Sequence, residues 1–169
     1  MKRNNKVIIA ALLLIIIICG VTLAHLALKN SNTIEPDYAS GEVDTNAIKE
    51  EAKTSKEGKN GGGSVNLKFS SVVEVDLNKK TAKLYFKNPG TSSEDIALNL
   101  IIRKSDGDII LGTSEMIPPG YAIYKMNLND ISMLTKGGYD GILKTIYYNN
   151  KTKAKEIVDS EIKVKIEVK

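Results

Sequence analysis

Residues 64–169 predict an all-β domain, a two-sheet antiparallel sandwich of about seven strands. Three observations carry this. Apolar and polar residues alternate with period two over most of the region, the mark of strands with one buried and one wet face. Turn-forming clusters separate the alternating runs at short intervals: Asn88-Pro89-Gly90, Ser105-Asp106-Gly107-Asp108, Pro118-Pro119-Gly120 and Tyr148-Asn149-Asn150-Lys151. No long run of helical period interrupts them.

Four segments are expected along the 169-residue chain. Residues 1–6 hold Lys2, Arg3 and Lys6 and form a basic flank. Residues 7–28 are apolar and carry no charged side chain. A run of about 20 such residues matches a bilayer core of about 30 Å. The preceding cations are expected to stay in the cytoplasm, which gives a retained single-pass anchor with the C-terminal domain extracellular. Two alternatives compete with a retained anchor: a signal peptide cleaved after Ala24, and a lipoprotein signal ending at Cys19. The plainer reading of Cys19 is a thiol in an apolar helix. His25, near the outer end of the run, reaches interfacial water. Residues 29–63 have few apolar side chains and end in Asn60-Gly61-Gly62-Gly63, so a flexible stalk is expected there. The folded domain then begins at Ser64.

Within the domain the strands are expected in this order. Val65, Leu67, Phe69, Val73 and Val75 share one parity, with a bend at Ser70-Ser71. Ala82, Leu84 and Phe86 alternate with Lys83, Tyr85 and Lys87. Ile96, Leu98, Leu100 and Ile102 alternate with Ala97, Asn99, Ile101 and Arg103. Residues 109–113 form a short strand. Ala122, Tyr124, Met126 and Leu128 alternate with Tyr121, Ile123, Lys125 and Asn127. Residues 141–148 and 158–168 complete the set, and residues 130–134 suit one helical turn. On this parity Phe86, Leu100 and Val164 point inward, and Asn99 and Lys165 outward. Tyr124, Tyr139 and Tyr147 are expected inward, and Tyr85, Tyr121 and Tyr148 outward.

Leu134-Thr135-Lys136-Gly137-Gly138-Tyr139 sharpens the fold class. A Leu, a glycine corner and a Tyr opening a strand resemble the tyrosine corner of immunoglobulin-like sandwiches, in which the phenol bonds back to upstream backbone. With Val65-Asn66-Leu67-Lys68-Phe69, Leu84 to Ser92, Ile117-Pro118-Pro119-Gly120 and Tyr147, the chain resembles small membrane-anchored Gram-positive, clostridial-type surface proteins with one immunoglobulin-like β-sandwich domain. The resemblance implies architecture and location. It imports no activity.

Composition excludes several chemistries. The only Cys and the only His, Cys19 and His25, lie in the apolar run, so the domain has no Ser-His-Asp or Cys-His triad and no ordinary zinc site. Asp106 and Asp108 flank a hairpin turn and supply too few oxygens for Ca²⁺. Glu74 with Asp76, or Asp159 with Glu161, would need to converge in a cleft to act as a glycosidase pair. No catalytic, cofactor-binding or metal-binding residue is expected, and no cofactor. Net charge is +4, and the domain's cations are scattered among acids without a basic stripe, which speaks against nucleic acid as a partner. Asn150-Lys151-Thr152 matches a glycosylation acceptor that a bacterial protein would leave unused. The expected function is a membrane-anchored interaction module, held to the bilayer by residues 7–28 and binding a protein or glycan at the cell surface. The alternatives are an accessory subunit of an envelope secretion or pilus assembly acting through its anchor helix, and a hydrolase.

Overall fold

A computed structural model describes residues 35–50, 67–104, 107–129 and 131–169. The expected anchor at 7–28 and the glycine run at 60–63 lie outside these residues. Among the described residues no helix is long and apolar enough to cross a membrane. The unit Asp37–Lys169 is compact and all-β.

Nine strands follow in sequence: β1 Ala47–Lys49, β2 Lys68–Phe69, β3 Val72–Asp76, β4 Thr81–Lys87, β5 Glu94–Ile102, β6 Ile109–Thr113, β7 Tyr121–Asn127, β8 Gly137–Asn149 and β9 Ser160–Val168. They join in one curled sheet of order β1-β7-β4-β3-β9-β8-β5-β6, with β2 beside β4. The expectation of a purely antiparallel arrangement is corrected at one place. β3 pairs antiparallel with β4 and parallel with β9, so the sheet is mixed. The curl brings its ends close: the Asn129 N–H donates to the Leu111 carbonyl at 2.8 Å. Gly112 is required at this approach, because a Cβ there would lie 2.5 Å from the Asn127 carbonyl oxygen.

The concave side holds the core. Val73, Val75, Ala82, Leu84 and Phe86 face Ile96, Leu98, Leu100, Leu143, Val164 and Ile166, with Ile123, Met126 and Leu128 from β7 and its end. These are the residues on the apolar parity of their strands, and burying them is the main stabilising term. Phe86, Leu100 and Val164 are buried as expected, and Lys165 is exposed.

The turns follow their residue chemistry. Tyr121 N–H donates to the Pro118 carbonyl at 3.1 Å with Gly120 at φ +83°, a turn that needs Pro then Gly at its centre. Ser92 N–H donates to the Pro89 carbonyl at 3.0 Å. Asn88 stitches these two turns together. Its side-chain Nδ2 donates to the carbonyls of Glu94 and Ile117, both at 2.8 Å. Its backbone N–H donates to the Tyr121 carbonyl, and its carbonyl accepts from Gly120. At the other corner Tyr139 Oη donates to the Thr135 carbonyl at 3.0 Å and accepts from the Thr135 N–H at 3.1 Å. This is the backward phenol contact expected from the Leu134–Tyr139 pattern. The Leu134 N–H donates to the Ile131 carbonyl, closing a simple turn where a helical turn was expected.

Three expectations are overturned. Residues 37–49, assigned to the stalk, fold onto the domain: Asp44 N–H donates to the Met116 carbonyl, and β1 pairs with β7 through Ala47 and Ile123. Single apolar residues such as Ala47 suffice here because backbone pairing at a sheet edge supplies the rest. Asn99 is only 3% exposed and Tyr148 only 1%, although both were placed on the wet face. The second face of β5 and β8 is covered as well. Ala97, Met116, Ile146 and Tyr148 form a separate small core there, with Ala39 packed against it.

Candidate functional site: an outward aromatic and basic face

The convex face of β4 and β7 carries the most distinctive surface chemistry. On β4 the alternation holds, so Lys83, Tyr85 and Lys87 stand outward between buried Ala82, Leu84 and Phe86. On β7 it breaks. Lys83 pairs with Lys125 and Phe86 with Ile123, so two residues of β4, Leu84 and Tyr85, oppose Tyr124 alone. This β-bulge turns both Tyr124 and Lys125 outward, whereas Ile123 and Met126 both stay in the core. The expected inward position of Tyr124 is thereby corrected: it is 46% exposed. Tyr121, expected outward, sits partly buried against the core rim.

The bulge sets Tyr124 beside Tyr85, with ring centroids 5.3 Å apart and planes tilted by 48°. Glu50, one residue past β1, binds both phenols and an amine. Lys87 Nζ donates to Glu50 Oε2 at 2.6 Å, Tyr85 Oη donates to the same oxygen at 3.4 Å, and Tyr124 Oη donates to Oε1. The Lys87 ammonium, then the Tyr124 hydroxyl, hold the Glu50 carboxyl below the usual carboxylate range. In return the hydrogen bond to Glu50 pushes the Tyr124 phenol up to about 12. Burial, and then the Glu50 charge, raise Tyr85. Both tyrosines therefore stay neutral donors at any ordinary pH.

Lysines bracket this aromatic pair. Lys83 directly opposes Lys125, and Lys68 on β2 directly opposes Lys87. Directly opposite residues share a face, and like charges there repel. Among the described residues, Lys68, Lys83 and Lys125 form no ion pair. Strand pairing assembles this lysine group from positions far apart in the chain, with Glu50 bound to Lys87 and Glu74 on β3 directly opposite Lys83. The Lys83-x-Tyr85-x-Lys87 alternation was visible in the sequence, but Tyr124, Lys125 and Glu50 were not, because a bulge and an edge strand bring them in.

The other sequence candidates do not converge. Glu74 is bound by Lys169 at 3.0 Å and Asp76 by Lys79 at 3.3 Å. Asp159 lies 3.3 Å from Lys144, and Glu161 bonds Arg103 at 3.1 Å. Asp108 also pairs with Arg103, and Asp106 lies outside the described residues. No group of three or more potential metal ligands occurs among the described residues. Comparison with protein-family models, with characterised proteins and with solved structures gives no match.

Proposed function

We propose that this chain is a membrane-anchored extracellular interaction module whose domain is an immunoglobulin-like two-sheet sandwich. The sandwich reading is supported by strand order. On this reading β7-β4-β3 would form one layer and β9-β8-β5-β6 the other. β3 bridges them by its parallel pairing to β9, and a tyrosine corner opens β8. The anchor reading rests on the apolar run 7–28 behind Lys2, Arg3 and Lys6. Protease added to intact cells should remove the domain and spare the N-terminus; a mature protein starting near His25, or a lipid on Cys19, overturns the anchor.

One observation carries the binding role: exposed Tyr124 and half-buried Tyr85, paired at a β-bulge and fixed by Glu50. Tyrosines offer broad apolar area with a polar tip at little entropic cost, which suits them to recognition. Bulges re-aim side chains next to functional sites. The full-length chain in non-ionic detergent should capture a surface protein or glycan, and Tyr85→Ser/Tyr124→Ser should abolish capture with the melting temperature retained. Unchanged capture by that folded variant would defeat the assignment of this face.

A further inference from the structure

We propose that the outer face of β4 and β7 binds an acidic glycan, with sugar rings on Tyr85 and Tyr124 and acid groups on the flanking lysines. This rests on the binding role given above and names its ligand class. The first argument is charge. Lys83 opposes Lys125 and Lys68 opposes Lys87 on one face; Glu50 is paired with Lys87, while Lys68, Lys83 and Lys125 form no ion pair among the described residues. Repulsion of this kind works against folding, and an anionic ligand relieves it. Next door on β3, Glu74 directly opposes Lys83 and is bound at 3.0 Å by Lys169, and Asp76 is bound by Lys79.

The second argument is spacing. Lys68, level with Lys87, lies four residues along β4 from Lys83, about 13 Å. Between them stands the neutral tyrosine pair. The surface thus alternates cation, aromatic, cation, which matches a polymer whose acid groups are separated by uncharged rings. The third argument is Glu50. Its carboxylate already accepts from Lys87, Tyr85 and Tyr124, which leaves the two phenol oxygens to accept from ligand hydroxyls. Sugars have the hydroxyls; a polynucleotide brings one phosphate per residue.

The test uses the full-length chain in non-ionic detergent and calorimetric titration. The ligands are galacturonate oligomers, the same oligomers methyl-esterified, hyaluronan oligomers and oligothymidylate of matched charge. At least one acidic oligosaccharide should bind, at least ten-fold more tightly than its esterified or otherwise uncharged counterpart, and more tightly than oligothymidylate. Raising salt should weaken the acidic ligand and leave the esterified one little changed. Lys83→Gln/Lys125→Gln should lose ten-fold or more in affinity and melt within a few degrees of the parent, because the substitution removes both the Lys83–Lys125 repulsion and the attraction of Lys83 to Glu74. Lys163→Gln, on β9, should leave affinity unchanged. Equal binding of oligothymidylate, or no acidic oligosaccharide bound above its uncharged counterpart, overturns the proposal. Binding of the esterified oligomers that depends on Tyr124 but not on the lysines also overturns it, while leaving the broader binding role intact.

Discussion

The convex faces of the two halves of the sheet are built on opposite plans. On β4 and β7 the convex side is wet: Lys83, Tyr124 and Lys125 face solvent, and only the concave side is core. On β5 and β8 both sides are covered. β5 is buried from Asp95 to Ile102 without alternation, and Ala97, Ile146 and Tyr148 make a second small core on its far side. A strand with one wet face leaves its parity in the sequence, whereas a strand covered twice hides it. The wet half is where recognition chemistry can accumulate, and the covered half is the rigid plate that supports it.

The largest test of this contrast is alanine truncation on both faces. Phe86→Ala should cost about 3–5 kcal/mol, and Leu100→Ala and Ile146→Ala about 2–5 kcal/mol each, although Leu100 and Ile146 lie on opposite faces of the same half of the sheet. Lys125→Ala should stay within about 0.5 kcal/mol. Chemical denaturation measures all four, and an Ile146→Ala cost as small as that of Lys125→Ala would break the comparison.

A smaller effect is expected at the seam. Asn88 ties the end of β4 to the start of β5 and to Ile117, so it joins the wet half to the covered one. Asn88→Ala loses both side-chain bonds and should cost about 1–3 kcal/mol. Urea denaturation of Asn88→Ala gives the value, and a loss near zero would mean that the two halves hold together without it. Smaller again is Tyr139→Phe. It keeps the ring and deletes the bonds to Thr135, for a cost of about 1 kcal/mol measurable as a shift in urea midpoint.

Much of the fold was legible because turns and alternation are local. Ile109–Thr113 was delimited as observed, the bend at Ser71 and the Pro118–Gly120 turn were anticipated, and Tyr139 was identified from its glycine corner. What was hidden is non-local. Phe69 is exposed, although its parity matched that of Val73 and Val75. Tyr124 was placed inward because strict alternation cannot foresee a bulge created by a partner strand. Asn99 was placed outward because the sequence of β5 does not say what covers its second face. Ala47–Lys49 was assigned to a stalk because a three-residue edge strand has no pattern of its own. For the binding face, Lys83, Tyr85 and Lys87 were readable as an outward row, and their partners emerged only with strand pairing.

The subtlest test concerns acid stability on the wet half. The folded Glu50 carboxyl lies below its unfolded range, first through Lys87. Its stabilising contribution is therefore present above the unfolded value, about 4.3, and is lost as pH falls through the lower folded value. Glu50→Gln should be less stable than the parent near neutrality, and the gap should close as pH drops below about 4. Thermal melts across that range measure it, and a gap that stays constant down to acid would show that the charge of Glu50 is not what holds Lys87 and the tyrosines.

The parallel seam between β3 and β9 has a temporal meaning. Val72 lies beside Lys165, so an early strand finds its neighbour only when the latest one has been made. β3, β4 and β7 can pair earlier, but the sheet is continuous only once this long loop closes, which places folding in the milliseconds-to-seconds regime of β-rich topologies. During synthesis the sheet therefore stays in two unjoined parts until β9 emerges to lie between β3 and β8.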